Sequence, residues 1–330
     1  MTGAARSGER IGARTVAHGG GHGLAATLRA LRDATDDITA VVGVADDGGS
    51  SGRLRREFGV IPPGDLRMAL AALCRDDEHG RLWSRVVQHR FAGEGALAGH
   101  ALGNLLIAGL WEHTDDIVAG LDAVAELLGA HGRVLPLACT PLDIVAGVRG
   151  LDPADPDALT TVRGQASIAK TPGRVTDVRL EPGDVAVCAE ALDSVRNADA
   201  ILMGPGSWYT SVLPHLMLPE MRRAIEQSSA RRICILNLEP QPGETSDFHL
   251  HTHLDVIHEF APDLRFDVVL ADRRMNVEPE ALERSAARLG ASLEICDLAD
   301  PRAPGTHDAT LLSTALRRLL PPRRHEPMAG

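Results

Sequence analysis

A chain of 330 residues with 44% apolar and 24% charged residues has the material for a full core, and large α/β domains reach this size. Aromatics make up only 3%, so that core must come from Leu, Val, Ile and Ala. The net charge of −11 argues against general nucleic-acid binding and against docking on anionic membranes, so an anionic small molecule would need a local site.

Five cysteines (Cys74, Cys139, Cys188, Cys234, Cys296) are scattered and mostly set among apolar neighbours, with no CxxC pair for zinc. That pattern suits reduced core thiols in a cytosol. No signal peptide or apolar run of bilayer length is visible, so the expectation is a cytoplasmic, soluble protein without membrane insertion.

Taken in order, residues 1–13 read as a disordered tail, and residues 14–320 as one α/β domain. Arg14 to His18 predicts a short first strand, which feeds Gly19-Gly20-Gly21-His22-Gly23 and then an apolar-periodic helix, LAATLRALRDAT. Gly21-x-Gly23-x-x-Ala26 fits the dinucleotide-binding pattern, with Asp46 near the expected acidic position after the second strand. In that geometry a pyrophosphate sits at a helix N-terminus, where free N–H groups and the dipole favour anions.

The second apolar run, Ile38 to Ala45, stops at Asp46-Asp47 and predicts a buried strand emptying into a long loop. Gly48, Gly49, Ser50, Ser51, Gly52 and Arg53, with Arg55 and Arg56, follow before the Pro-Pro-Gly-Asp turn that ends at Asp65. Glycine lets backbone N–H groups approach a ligand. Serine hydroxyls and arginine forks suit phosphate, and carboxylates suit a ribose diol or a divalent ion. Leu66 to Arg75 reads as a helix, with Asp65 as an N-cap or more, and Arg67 as a phosphate ligand or a solvated charge.

Leu82 to Phe91 predicts another helix. In GHALGNLLIAGLWEH, His100 and Asn104 lie four apart on one helical face, a structural pair or a ligand contact beside Gly99 and Gly103. Arg133 to Ala138 is a third strand, and residues 141–186 read as a small β-rich excursion within the same domain. Ala198 to Met203 predicts a buried strand running into Gly204-Pro205-Gly206-Ser207, with Thr210 and Ser211 just beyond. Arg232 to Leu238 repeats the pattern, with Asn237 leading into EPQPGET. A helix at Leu254 to Phe260, a strand at Phe266 to Ala271, a helix at Glu278 to Leu289, a strand at Leu293 to Cys296 and a closing helix at His307 to Leu320 complete the sheet. Residues 321–330 read as a second disordered tail. Loops at the carboxyl ends of such strands converge on a ligand.

Two other signals are weaker. His249-x-His251-x-His253 would share one face of a strand and offer a metal, but no Cys or acidic set accompanies it. Gly206-Ser207-Trp208 lacks the second glycine of a nucleophile elbow.

GGGHG, DDGGSSGRLR, PPGD, GHxxGNLL, GPGSxYTSVLP and QPGET, in this order over residues 15–260, resemble the YvcK family. These bacterial cytoplasmic proteins are called gluconeogenesis factors and are related in fold to CofD, the 2-phospho-L-lactate transferase. The resemblance implies a Rossmann-like three-layer α/β/α sandwich with a mostly parallel sheet. It also implies binding of UDP-N-acetylglucosamine or another UDP-sugar such as UDP-glucose, and a role in gluconeogenic growth, cell shape and peptidoglycan supply. Cell-wall or metabolic regulatory proteins and a homo-oligomer are the expected partners. By matching position, Gly19 to Gly23 would meet the diphosphate, and Asp46 and Asp47 the ribose or an ion. Ser50, Ser51 and Arg53 would contact diphosphate or sugar. Gly204, Gly206, Ser207, Thr210 and Ser211 would close the pocket, with His100, Asn104 and Asn237 nearby. The chain departs from the family at His22 (usually threonine), Met68 (asparagine), Trp208 (leucine) and the His-rich segment after QPGET.

Three functions compete on this reading. The first is a regulatory nucleotide-sugar-binding protein without turnover. The second is a CofD-type transferase with Mg²⁺ on Asp46, Asp47 or Asp65. The third is an NAD-linked enzyme using the same cleft.

Overall fold

The computed structural model describes residues 10–241, 245, 248–275 and 278–324. Most of the two expected tails, and Pro242, Gly243 and Glu244 of QPGET, lie outside the described residues. Ile11 to Ala13, expected in the N-terminal tail, already belong to the first strand.

The first half alternates strands with helices. β1 (Ile11–Gly19), α1 (Gly21–Ala34) and β2 (Thr35–Val42) form a parallel βαβ unit. Four helices follow, α2 (Gly49–Phe58), α3 (Pro63–Leu73), α4 (Glu78–Gln88) and α5 (Leu102–Thr114), then α6 (Ile117–Leu128) and β3 (Arg133–Pro136). Residues 143–181 form a three-stranded antiparallel sheet, β4 (Asp143–Arg149), β5 (Thr160–Arg163) and β6 (Arg174–Glu181), with a one-turn helix α7 (Gln165–Ile168). The parallel pattern resumes with α8 (Ala189–Asn197), β7 (Ala200–Met203), α9 (Pro214–Met217), α10 (Pro219–Gln227) and β8 (Arg231–Ile235). It ends with α11 (Leu250–Phe260), β9 (Val268–Asp272), α12 (Pro279–Arg288), β10 (Ser292–Cys296), the hairpin β11 (Ala299–Asp300) and β12 (Ala303–His307), and α13 (Ala309–Leu319).

The seven parallel strands run in the order β10-β9-β8-β7-β1-β2-β3, a Rossmann-like sheet flanked by helices. Its inner strands are buried on both faces: every residue of β7 and β9 is buried, while the edge strand β10 is partly exposed. Near-continuous apolar runs are what a doubly covered parallel sheet demands. Gly19 aligns with Val42, and His18 with Met203, so the carboxyl ends of β1, β2 and β7 share one edge. The chain goes from β1 rightward to β2 and β3, then returns to β7 on the other side of β1. That reversal between β1 and β7 opens the crevice where open α/β sheets take ligands.

At the opposite end of the sheet a buried carboxylate ties three segments together. Asp199 receives hydrogen bonds from Arg14 N at 2.8 Å, Arg14 Nε at 3.2 Å and Arg324 Nε at 3.0 Å. Burial alone would raise the Asp199 carboxyl, but these donors hold it at about 2. Removing one partner of a buried pair strands the other charges, at a cost of about 3–5 kcal/mol. Asp199→Ala is therefore expected to lower stability by that order in a urea titration, without changing ligand affinity.

Several segments differ from expectation. The long loop after β2 is short, because residues 49–58 form α2, held by buried Leu54 and by Ser50, Ser51 and Gly52 packed inward. His100 precedes α5, whose N-cap is Ala101, so it does not share a helical face with Asn104. Asp65 is not an N-cap; Pro62 holds that position and Asp65 sits in the first turn of α3. His251 and His253 lie on α11 and not on a strand, with His249 as its N-cap. The rings of His249 and His251 stack against each other and both face Glu278, while His253 turns inward against Trp208. Cys139 is exposed where a core thiol was expected, and all five cysteines are free. Among the described residues no helix is long and apolar enough to cross a membrane.

Candidate functional site

The site is built from two glycine loops that touch. After β1, Gly20 is extended and Gly21 takes a left-handed conformation (φ 57°) as α1 begins. Its N-cap, Gly20, has no side chain and its first turn carries no acid; Asp65, from α3, takes the Gly21 N–H, and the N–H groups that follow are left for an anion. The glycines are there for room as much as for conformation. A Cβ on Gly20 would fall 2.5 Å from Asp65 Oδ2, and one on Gly23 only 2.2 Å from the Pro205 carbonyl oxygen.

The second loop follows β7. Gly204 is left-handed (φ 75°) against the Ile235 carbonyl. Asn237 clamps the next turn: its Oδ1 accepts from Gly206 N at 2.8 Å and its Nδ2 donates to Gly206 O at 2.9 Å. Ser207 then opens a π-helical turn, Trp208–Val212, that buries Thr210 and Ser211. Ser211 Oγ lies near Gly20, 3.3 Å from where its Cβ would be. Trp208 anchors this turn by donating from Nε1 to the His253 carbonyl at 3.0 Å. Beside the joined loops is a cavity of about 290 Å³, bounded by His22, Gly23, Pro205 and Gly206 from the loops on one side and by Asn237, Glu239, Gln241 and Thr306 on the other.

Beneath the first loop lies a buried histidine pair. His18 Nδ1 is 3.2 Å from His215 Nδ1, and His215 Nε2 is 3.4 Å from the Gly19 carbonyl. Burial, with each ring beside the other, holds His18 well below its usual range, and burial brings His215 down to about 4. Both rings are neutral at pH 7. If His215 Nε2 donates to Gly19, its Nδ1 must accept from His18.

Three aspartates take different positions. Asp46 Oδ1 accepts from Gly48 N at 2.9 Å, and its Oδ2 lies near Gly64. Asp65 reaches back to the first loop, accepting from the Gly21 N–H. Burial, then the neighbouring Asp46 carboxylate, raise the Asp65 carboxyl to about 7 despite Gly21 and Arg67. Asp47 turns elsewhere: its Oδ1 accepts from Ala166 N at 2.9 Å, and Gly164 leaves room for it.

On the far side of Asp46 and Asp65 is a polar cluster between α2 and α5. Asn104 Nδ2 donates to Ser50 Oγ at 3.0 Å, and Ser50 Oγ lies 3.0 Å from His100 Nδ1. With Asn104 Nδ2 and, at 3.4 Å, Ala101 N donating to its two lone pairs, the Ser50 hydroxyl donates to a neutral His100, whose pKa is lowered by burial and then by Arg53. Arg53 donates to the carbonyls of Ala98 and Ala96. Arg67 is buried, and its Nε and Nη1 have no hydrogen-bond partner.

The structure therefore gathers Gly19 to Gly23, Asp65, Gly204 to Gly206, Ser211 and Asn237 at one crevice, with Asp46, Gly48 and Ser51 along its rim. Gly49 is left-handed in open space at the start of α2. Ser50, Arg53, His100 and Asn104 belong to the neighbouring cluster, and Asp47 to neither. Sequence reading missed His215, Gly64, Glu239 and Thr306. An unusual histidine in an apolar run, LPHLML, was the available signal for His215; Gly64 and Glu239 stood inside the PPGD and EPQPGET segments without being singled out, and Thr306 carried no signal. No cluster of three or more His, Cys, Asp or Glu among the described residues is arranged to hold a metal ion.

Residues 15–308 match the family model described as 2-phospho-L-lactate transferase CofD. A Mycobacterium tuberculosis protein named "Putative gluconeogenesis factor" is 50% identical over 304 residues, covering 91% of this chain and 88% of that one. The "Gluconeogenesis factor" of Halalkalibacterium halodurans is 43% identical over 242 residues, 73% of this chain and 72% of its own. A crystal structure of a Bacillus halodurans protein superposes with a TM-score of 0.82 at 34% identity, over 92% of this chain and 99% of that chain. Fold order, glycine loops and these likenesses agree: the chain belongs to the CofD family, in its gluconeogenesis-factor (YvcK) group.

Proposed function

We propose that the chain is a regulatory protein that binds a nucleotide sugar, UDP-N-acetylglucosamine or UDP-glucose, across the crevice between β1 and β7. The contact of the two glycine loops at Gly23 and Pro205 carries this reading. It brings the N-terminus of α1 opposite a second turn rich in N–H and hydroxyl donors, the arrangement a diphosphate needs. The names of the relatives support a role in gluconeogenic growth. The motif resemblance supports the uridine sugar, and with it a cytoplasmic role in cell shape and peptidoglycan supply. Glycine N–H groups and hydroxyls hold a diphosphate, and binding alone does not accelerate chemistry.

A second reading, a CofD-type transferase, is favoured by one observation. Asp65 and Asp46 lie together beside the first loop, and burial, then the repulsion between them, raises Asp65. Two carboxylates plus ligand phosphates make a hard-oxygen set that suits Mg²⁺. Such an ion would neutralise diphosphate charge and stabilise a leaving group; Asp46 and Asp65 would hold it, and Asp47 would not.

Calorimetric titration with UDP-N-acetylglucosamine, beside GDP and NAD, tests both. Saturable uridine-selective binding is expected, and a preference for GDP with Mg²⁺ would move the assignment to the transferase. Without Mg²⁺, protonation of Asp65 below pH 7 removes a negative charge facing the diphosphate. Affinity should therefore rise as pH falls from 8 to 6, by up to about tenfold, and Asp65→Asn should abolish that rise. Affinity that is flat with pH in the parent protein would contradict the placement of Asp65.

A further inference from the structure

Arg67 is a buried charge without a counter-charge in contact. It is 5% exposed, yet its Nε and Nη1 have no partner and no carboxylate among the described residues lies within ion-pair distance. A buried, unpaired guanidinium is costly unless something compensates it. Its side chain runs along the first turn of α5: a Cβ on Gly103 would fall 2.8 Å from Arg67 Cγ. That turn starts at Ala101, which offers no capping side chain. It adds the positive end of a 13-residue helix to the guanidinium. Asn104, in the same turn, has an unpartnered Oδ1 but gives its amide to Ser50.

Two more cations border the same turn. Arg90 donates to Gly99 O at 2.9 Å and Arg53 to Ala98 O at 2.8 Å, both using neutral carbonyls. Arg90 is also the charge that most depresses Arg67 after burial itself. The acids facing this region are Asp65 and Asp46, which act on Arg67 from the nucleotide side, and Glu57, which acts on His100 from α2. Three arginines and a helix N-terminus thus meet, and among the described residues no acid makes an ion pair with Arg67, Arg53 or Arg90.

We propose that the first turn of α5, with Arg67 at its centre and Arg53 and Arg90 at its mouth, is a second anion subsite that takes the phosphate group of another ligand. It is separated from the diphosphate by Asp46 and Asp65. Two anionic ligands can then be held on either side of a carboxylate pair that keeps their charges apart. The subsite deepens the nucleotide reading by giving the crevice a second ligand, and rests on that reading only for the position of the first.

The probe is inorganic phosphate, followed by ³¹P line broadening and by calorimetry on the full chain, with and without saturating UDP-N-acetylglucosamine. Saturable binding that survives the nucleotide sugar is expected, with a loss of about tenfold or more in Arg67→Met. Displacement of phosphate by the nucleotide sugar, or equal binding by Arg67→Met, overturns the subsite. Should Arg67→Met fail to fold in a thermal scan, the exposed Arg90→Gln decides. A loss of about threefold is expected from it, and unchanged affinity counts against the proposal. If UDP-N-acetylglucosamine does not bind at all while Arg67→Met still loses phosphate, the nucleotide reading falls and the subsite stands.

Discussion

Gly23→Ala is expected to cut nucleotide-sugar affinity at least 100-fold and to lower stability by about 1–3 kcal/mol, the usual cost of overpacking. The added methyl would fall 2.2 Å from Pro205 O, 2.6 Å from Pro205 C and 2.7 Å from Gly206 Cα. All three are backbone atoms, and the loop carrying them is fixed by the paired Asn237 hydrogen bonds. No side-chain rotation can relieve the contact, so the loops must separate and the donors lose their common focus. Gly109→Ala is the control: it sits within α5 with nothing within 4 Å, and should stabilise by about 1 kcal/mol through helix propensity. Parent-like affinity in Gly23→Ala would mean that the loops need not touch for ligand binding.

Acid should unfold the protein in a window set by its buried histidines. His215, His253 and His307 each fall to about 4 by burial, from an ordinary value of 6.5. Below pH 6.5 the unfolded chain takes up protons at these positions and the folded chain does not. Stability therefore falls with pH from about 6.5 to about 4, by up to ~1.4 kcal/mol per pH unit for each ring. Across the window that is on the order of 3 kcal/mol each, against a total stability of about 5–15 kcal/mol. Asp65 acts in the opposite sense, since its raised carboxyl binds its proton first in the folded state. Asp199, held at about 2, weakens the fold only below the usual carboxylate range, near 3.9. Urea titrations at pH 7.5, 6 and 5 should show the decline. His253→Phe, which removes a ring whose two nitrogens are unpartnered beside Trp208 and Phe248, should flatten it by about one proton. Equal slopes in the two proteins would mean that His253 is protonated in the folded state.

The sheet and both glycine loops were legible because each follows an apolar strand, where a run of glycine cannot be explained by packing. α2 was not, since GSSGRLRREF opens on two glycines and two serines, and its Ser50, Ser51 and Gly52 are held inward by tertiary contact that overrides local preference. The same applies to His100. Its spacing from Asn104 suggested one helical face, and the two do meet, but through Ser50 and from opposite sides of a helix start. α6, α8 and the β11–β12 hairpin left no assignment in the sequence reading. The role of Asp47 was beyond it as well: two adjacent carboxylates look alike in sequence, and only the fold turns one toward Gly48 and Gly64 and the other toward Ala166. Burial of Arg67 without a partner is likewise invisible until α3 and α5 are packed.

Hydrogen exchange with and without UDP-N-acetylglucosamine tests most directly whether one ligand is clasped between the two loops. Protection is expected together at residues 19–24 and 204–212, with little change at the Asp199 end of the sheet. Protection confined to one loop, or to neither while binding is saturated, would contradict a ligand held across the crevice.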